Sequence, residues 1–149
     1  MRYASGGGDG VERYQVPVTT SAEPNPALEN FRIGELEGRQ VYDALHDPVG
    51  TSALLDLLRS NGSAGDLRAA SLRPLEELSG HPVGVEQSNT SVVYGDAYIL
   101  KVFRRLSPGI NPDLEVTRAL AEADSPHVAA PLGWIEGALD GEPTTLAVL

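Results

Sequence analysis

The sequence predicts an α+β fold in two parts, residues 1–78 and residues 79–149, because strand patterns and helix starts alternate along the chain. The apolar run from Tyr98 to Phe103 has the length and composition of a β-strand. Two helix starts are indicated by an N-cap residue followed by proline, at Asp47-Pro48 and at Asn111-Pro112. We therefore expect strands and helices in the first part, and a five-stranded antiparallel sheet with one helix in the second.

The composition is that of a folded protein with an acidic surface. Of 149 residues, 41% are hydrophobic, which is enough to furnish a core. The formal charge of −10 opposes binding to nucleic acids and to anionic membranes, and the absence of cysteine excludes disulfides and thiolate metal sites. No apolar run approaches the roughly 20 residues that span a bilayer, and the beginning lacks a signal-peptide pattern. These properties predict a cytoplasmic protein without nucleic-acid or membrane partners.

The first part is expected to hold strands followed by a pair of helices. Residues 2–5 and 11–18 favour two strands joined by a glycine-rich turn. Residues 31–61 have helical periodicity, with a restart at Asp47-Pro48. The first of these helices would bury three apolar residues: Leu36, Val41 and Leu45. The second would bury four leucines: Leu54, Leu55, Leu57 and Leu58. Residues 66–72 are ambiguous, and we predict a strand there.

The second part shows the spacing of a small antiparallel sheet. Short strands at 83–87 and 92–94 flank the turn formers at 88–91, which predicts a hairpin. The strand from Tyr98 to Phe103 comes next. Residues 127–135 and 144–149 favour two more strands and bring the expected total to five.

Lys101 is the residue best placed for chemistry. Period-2 alternation sends it to the same face of its strand as Ile99 and Phe103. A lysine among apolar neighbours is costly unless an anion meets it. Glu115, in the first turn of the following helix, is one candidate anion, and a nucleotide phosphate is another. The alternative is a surface ion pair between Lys101 and Glu115, worth ~0–1 kcal/mol.

Three stretches around this lysine resemble the amino-terminal lobe of bacterial maltokinases: Glu86–Asp96, Ile99–Arg105 and Pro108–Glu115. The resemblance implies a protein-kinase-like bilobal fold and transfer of a phosphoryl group from ATP to maltose. It also implies a nucleotide-binding role for six residues: Ser88, Asn89, Thr90 and Ser91 over the phosphates, and Lys101 contacting phosphates and pairing with Glu115. The G-x-G-x-x-G loop of protein kinases is absent, and small hydroxyl and amide residues replace it.

Two earlier stretches, Glu12–Val18 and Tyr42–Pro48, resemble the cap domain that maltokinases carry ahead of the kinase-like lobe. The family's cap begins with a further segment, so the resemblance implies that residues 1–78 are an incomplete cap. It also implies that the chain lacks the carboxy-terminal lobe, which in kinase-like enzymes supplies the magnesium ligands and the catalytic aspartate. We interpret the aspartates of the second part as turn or cap residues: Asp96, Asp113, Asp124 and Asp140. We therefore expect no catalytic residue and no metal site, and magnesium only if a second lobe is present.

The function predicted first is a non-catalytic, maltokinase-like half protein with a binding or regulatory role in sugar or glycogen metabolism. It would retain at most weak ATP binding. It would meet a protein partner, or a second copy of itself, through the apolar face that would dock the missing lobe. The alternative is that the chain is part of an active maltokinase whose catalytic lobe is missing from this sequence or is supplied by another polypeptide. A third hypothesis is a stable domain without a ligand.

Overall fold

A computed structural model describes residues 11–85, 88–122 and 130–149. In these ranges the chain forms twelve β-strands, two α-helices and one 3₁₀-helix. The strands are β1 (Arg13–Tyr14), β2 (Val18–Ser21), β3 (Arg32–Leu36), β4 (Arg39–Asp43), β5 (Ser63–Ala64), β6 (Leu67–Ser71), β7 (Gly80–Val85), β8 (Asn89–Tyr94), β9 (Tyr98–Phe103), β10 (Arg105–Leu106), β11 (Gly133–Leu139) and β12 (Glu142–Val148). The helices are α1 (Pro48–Arg59) and α2 (Pro112–Glu122), and the 3₁₀-helix is Pro26–Phe31.

Seven strands form an antiparallel sheet in the order β5-β6-β11-β12-β9-β8-β7, which we call the main sheet. One of its faces, the inner face, packs against α1. Two fully buried leucines of this helix, Leu55 and Leu58, join a core cluster with residues of five main-sheet strands and of the segments beside them: Leu45, Ala69, Leu75, Val92, Tyr94, Tyr98, Leu100, Val102, Ile135, Ala147 and Leu149. The hydrophobic effect of burying this face is the main force holding the sheet and the helix together.

Helix α1 begins where the sequence predicts. The carboxylate of Asp47 accepts a hydrogen bond from the backbone N–H of Val49 at 2.9 Å, and Pro48 occupies the first turn. The hydroxyl of Thr19 donates to the other oxygen of Asp47 at 2.6 Å. The same carboxylate therefore caps the helix and ties it to β2. Neither described helix, of 12 and 11 residues, is long and apolar enough to cross a membrane.

A second, three-stranded sheet has the order β2-β4-β3, and we call it the cap sheet. It is joined to the main sheet by an ion pair between Arg104, which follows β9, and Asp43 of β4, with 2.7 Å between Nη2 and Oδ2. A short two-stranded ladder of β1 and β10 gives a further connection. The two sheets therefore share an interface that includes a partly buried charge pair.

The predicted α+β fold with a five-stranded antiparallel, protein-kinase-like lobe is wrong: the described part of the chain is mostly β, with a seven-stranded main sheet. The two additional strands of this sheet, β5 and β6, precede residue 79; β6 is expected as a strand but not in this sheet, which it joins by pairing with β11. Pairing between residues so far apart leaves no mark in local sequence periodicity. The main sheet thus takes strands from both sides of the boundary that we predict between residues 78 and 79.

The first of the two helices predicted in residues 31–61 is also wrong, because β3 and β4 form a hairpin there. The turn residues Glu37 and Gly38 have φ of 51° and 75°, the conformation that two-residue hairpin turns require. Leu36, expected on the buried side of a helix, is 63% exposed at the end of β3. Antiparallel pairing with β4, rather than a packed apolar stripe, decides the structure of this segment.

Several of the other predicted elements agree with the structure. The strands expected at 98–103 and 66–72, and the helices after Asp47 and Asn111, are confirmed as β9, β6, α1 and α2. The strand predicted at 11–18 is instead two short strands, β1 and β2, which are separated by Pro17. The predicted strand at 2–5, and the beginning of the one at 127–135, lie outside the described residues.

Tyr94 gives a testable pH dependence of stability. Its side chain is fully buried, and its hydroxyl donates to the carbonyl of Thr51 in α1 at 2.7 Å. Burial raises the pKa of Tyr94, and the nearby charge of Asp56 adds to the rise. Below about pH 10, the ordinary value for tyrosine, the proton is bound in both the folded and the unfolded chain. Above it the unfolded chain releases a proton that the folded chain keeps, so the free energy of unfolding falls.

We expect the substitution Tyr94→Phe to lower the free energy of unfolding by about 1 kcal/mol at pH 8, because the buried carbonyl of Thr51 loses the hydrogen bond from the tyrosine hydroxyl. Its free energy of unfolding should then fall less than that of the wild type as the pH is raised above about 10. Urea unfolding at pH 8 and at a pH above about 10, followed by the fluorescence of the only tryptophan, measures both effects. If the free energy of unfolding fell equally in both proteins as the pH was raised, Tyr94 would not be the source of the pH dependence.

Candidate functional site

A cleft of about 490 Å³ lies on the outer face of the main sheet, the face opposite α1. Side chains of β9 form its floor, the first turns of α2 form one wall, and the segment ahead of β11 and the end of β12 close it. The described lining residues are Ile99, Lys101, Phe103, Pro112, Val116, Thr117, Ala130, Pro131, Val148 and Leu149. Its volume lies within the range of about 300–1,000 Å³ that is usual for small-molecule sites.

Lys101 is the only charged residue among the described lining residues of the cleft, and it is the only lysine in the sequence. It is half-buried, and its Nζ lies 5.7 Å from the centroid of the Phe103 ring. At this distance the ring attracts the ammonium group through a cation–π interaction. The predicted alternation along β9 is confirmed, because Leu100 and Val102 face the core while Ile99 and Lys101 face the cleft.

The strand register aligns Lys101 with side chains of the neighbouring strands. Ser91 of β8 and Val148 of β12 are its direct cross-strand partners, and Trp134 of β11 is in turn the partner of Val148. Direct partners in an antiparallel ladder point to the same face. The row Ser91, Lys101, Val148 and Trp134 therefore crosses the outer face and ends in the only tryptophan of the chain.

The four residues predicted to form a phosphate-covering loop do not form a loop. Ser88 is exposed ahead of β8, whereas the other three belong to that strand. Asn89 is buried, and Thr90 turns to the inner face, where its hydroxyl accepts from Nε of Arg104 at 3.0 Å. Ser91 is the one member of this group that the structure brings beside Lys101. Pairing with β9 along its full length extends the strand over residues whose local sequence favours a turn.

Glu115 lies in the first turns of α2, as predicted, with an exposed side chain. It is not among the described residues that line the cleft, although Pro112, Val116 and Thr117 of the same helix are. The pairing of Glu115 with Lys101 stays a prediction. Among the described residues, no group of three or more histidine, aspartate or glutamate side chains could hold a metal ion.

Sequence reasoning missed most of the apolar walls of this cleft. Val116 and Pro131 come from separate segments that only the fold brings together. The sequence places Val148 in a predicted strand. It does not indicate that Val148 lies beside Lys101, because the pairing of two strands cannot be predicted from local periodicity. A lysine between apolar walls can hold a ligand that combines an anionic group with an apolar one.

The described part of the chain is thus a mostly β fold with a cleft on the outer sheet face, and Lys101 is the one charged residue among the described lining residues. The comparison with protein families then gives a relationship: residues 1–47 match the model of the maltokinase N-terminal cap domain. The described part of this match contains β1 to β4, hence the whole cap sheet, and ends at the N-cap of α1. The amino-terminal part of the chain is therefore maltokinase-like, as its resemblance predicts.

Proposed function

We propose that this maltokinase-related protein binds ATP in the outer cleft, with Lys101 against the phosphates. The observation that carries the proposal is the position of Lys101 between apolar walls, as the one charged residue among the described lining residues of a cleft of about 490 Å³. The ammonium group of lysine binds phosphate oxygens as a compact point charge. Ser91, its cross-strand partner, adds a hydroxyl that can donate to the same oxygens. Ile99 and Phe103 supply apolar surface for the nucleoside.

The role that we propose for this binding is regulatory, in sugar or glycogen metabolism and without phosphoryl transfer by this chain. A second candidate is supported by the match to the maltokinase cap domain: the chain forms the nucleotide-binding part of an enzyme that converts ATP and maltose to ADP and maltose 1-phosphate. Transfer then needs magnesium and an aspartate from a second lobe. ADP release with maltose, after addition of a matched maltokinase carboxy-terminal lobe, would support the second candidate. Failure with that lobe in excess would contradict it.

Acylation of Lys101 tests nucleotide binding directly, because the only other primary amine of the chain is its α-amino group. We expect ATP, at about ten times its Kd, to slow the acetylation of Lys101 roughly tenfold, since a bound phosphate occupies the amine. The α-amino group serves as an internal control and should react at an unchanged rate. Mass spectrometry of the proteolytic peptides, after timed exposure to an acetylating reagent, gives both rates.

Lys101→Met and Lys101→Arg are the matched variants for this experiment. ATP should raise the Tm of the wild type and, to a smaller extent, that of Lys101→Arg, which keeps the positive charge. It should leave the Tm of Lys101→Met unchanged. Equal rates of Lys101 acetylation with and without ATP, together with equal shifts of Tm in all three proteins, would show that the cleft does not bind the nucleotide through this lysine.

A further inference from the structure

In the floor of the cleft the pairing between β9 and β12 stops after two residue pairs, and we call the point where the two strands part the fork. Strands β9 and β12 pair at only two positions, Val102 with Ala147 and Lys101 with Val148. The next residues along the ladder, Phe103 and Leu146, are not register partners. At this point the chain needs another donor for their backbone carbonyls, because an unpaired carbonyl within the protein is costly.

The side chain of Gln15 provides that donor. Its Nε2 lies 2.5 Å from the carbonyl oxygen of Phe103 and 2.7 Å from that of Leu146. A primary amide carries two N–H groups, so one nitrogen can donate to both carbonyls at once. Gln15 therefore bridges the fork between β9 and β12 and replaces the ladder where it stops.

The backbone around Gln15 is held to the same edge of the main sheet. Its own N–H donates to the carbonyl of Arg104 at 2.9 Å, and β1 pairs with β10 immediately before it. The carboxylate of Glu12 lies 2.9 Å from Arg105. The amide of Gln15 is thus brought to the two carbonyls by a short segment that is held against Arg104, Arg105 and Leu106.

The hydrogen bonds of Gln15 can affect the shape of the cleft, because Phe103 both accepts one of them and lines the cleft. The Phe103 ring lines the cleft, and its carbonyl is held by Gln15. On its other side Phe103 pairs with Asn89 of β8. Lys101, in contrast, is held by ladder partners on both sides, Ser91 and Val148. Loss of the bridge should therefore displace the ring of Phe103 while Lys101 stays in place.

We propose that Gln15 is a positioning residue for the cleft: by bridging the carbonyls of Phe103 and Leu146 it sets the separation of β9 and β12, and with it the place of the Phe103 ring. Its effect on ligands rests on the nucleotide binding proposed above. The bridge itself does not depend on that proposal, since it is a property of the protein without ligand. The two can therefore fail separately.

The substitution Gln15→Met tests the bridge, because methionine has a similar length and no N–H group to donate. Gln40→Met is the matched control: Gln40 lies in the cap sheet and bonds the side chains of Arg32 and Glu35 at the surface. In the protein without ligand we expect hydrogen exchange of peptides covering 100–104 and 145–149 to be roughly tenfold faster in Gln15→Met. Exchange in α1 should be unchanged, and Gln40→Met should match the wild type throughout.

Ligand titrations distinguish a displacement of the Phe103 ring from a general loss of stability in Gln15→Met. Titrations with adenosine and with tripolyphosphate, followed by the fluorescence of Trp134, should show roughly tenfold weaker binding of adenosine by Gln15→Met. Binding of tripolyphosphate, which uses Lys101 and Ser91 but not the ring of Phe103, should be unchanged. Exchange of the two peptides at the wild-type rate, or equal weakening of both ligands, would overturn the proposal. If wild type binds neither ligand, the proposed function fails, and the exchange rates still decide whether Gln15 holds the fork.

Discussion

Leu58→Ala is expected to lower the free energy of unfolding by about 2–5 kcal/mol, the usual cost of truncating a fully buried leucine. Leu58 is completely inaccessible to solvent on the sheet-facing side of α1. Its Cδ2 would lie only 3.1 Å from a Cβ added at Gly133, so the leucine fills the space that this glycine of β11 leaves open. Removing the side chain leaves a cavity where helix and sheet meet. Urea unfolding followed by tryptophan fluorescence measures the loss, which should lower Tm by about 2–4 °C per kcal/mol.

Val49→Ala is the control on the same helix, because Val49 is 71% exposed. We expect it to change stability by less than about 0.5 kcal/mol. If Leu58→Ala cost no more than Val49→Ala, the packing of α1 on the inner face of the main sheet would be incorrect.

Arg104→Met is expected to cost about 1.5–3 kcal/mol, because hydrogen bonds to charged groups contribute more than neutral ones when they are partly buried. The side chains of Arg104 and Asp43 are 17% and 21% exposed. Without the arginine, the carboxylate of Asp43 loses its counter-charge and the buried hydroxyl of Thr90 loses a donor. The cap sheet and the main sheet would then be held together less tightly. Thermal and urea unfolding of the purified variant measure the loss.

A double-mutant cycle isolates the contact between the two sheets. In an Asp43→Asn background the cost of Arg104→Met should shrink, since part of what it removes is already gone. Arg59→Met serves as a control, because Arg59 pairs with the exposed Asp56 at the surface of α1 and should cost no more than ~0–1 kcal/mol. Equal costs of Arg104→Met in both backgrounds would show that the ion pair does not couple the sheets.

Elements whose causes are local could be predicted from the sequence. Asp47-Pro48 marks the start of α1 because a side-chain cap and a fixed proline φ act within one helical turn. The alternation in β9 placed Lys101 on the cleft face for the same reason, since neighbouring side chains of any strand point to opposite faces. The maltokinase resemblance of the first part could likewise be recognised from its residues.

Elements that depend on pairing between strands could not be predicted from the sequence. Residues 31–45 carry a helix-compatible spacing of apolar residues, yet Glu37 and Gly38 adopt a hairpin turn and the flanking residues pair as strands. Asn89 and Thr90 have the local preferences of a turn, but the hydrogen bonds offered by β9 hold them in a strand. In each case the free energy of pairing with the neighbouring strand exceeds a local propensity of a few tenths of a kcal/mol, roughly.

The sequence by itself determined where α1 and α2 begin, which face of β9 carries Lys101, and that the amino-terminal part is maltokinase-like. The tertiary structure alone decided that β6 adds to the main sheet beside β11, that apolar residues of α2 and β12 close a cleft around Lys101, and that Gln15 bridges two strands from more than 80 residues away in the chain. The reason is physical. Caps and alternation act between residues within a turn or two, whereas sheet order and cleft walls are set by burial and backbone pairing among residues that are distant in sequence.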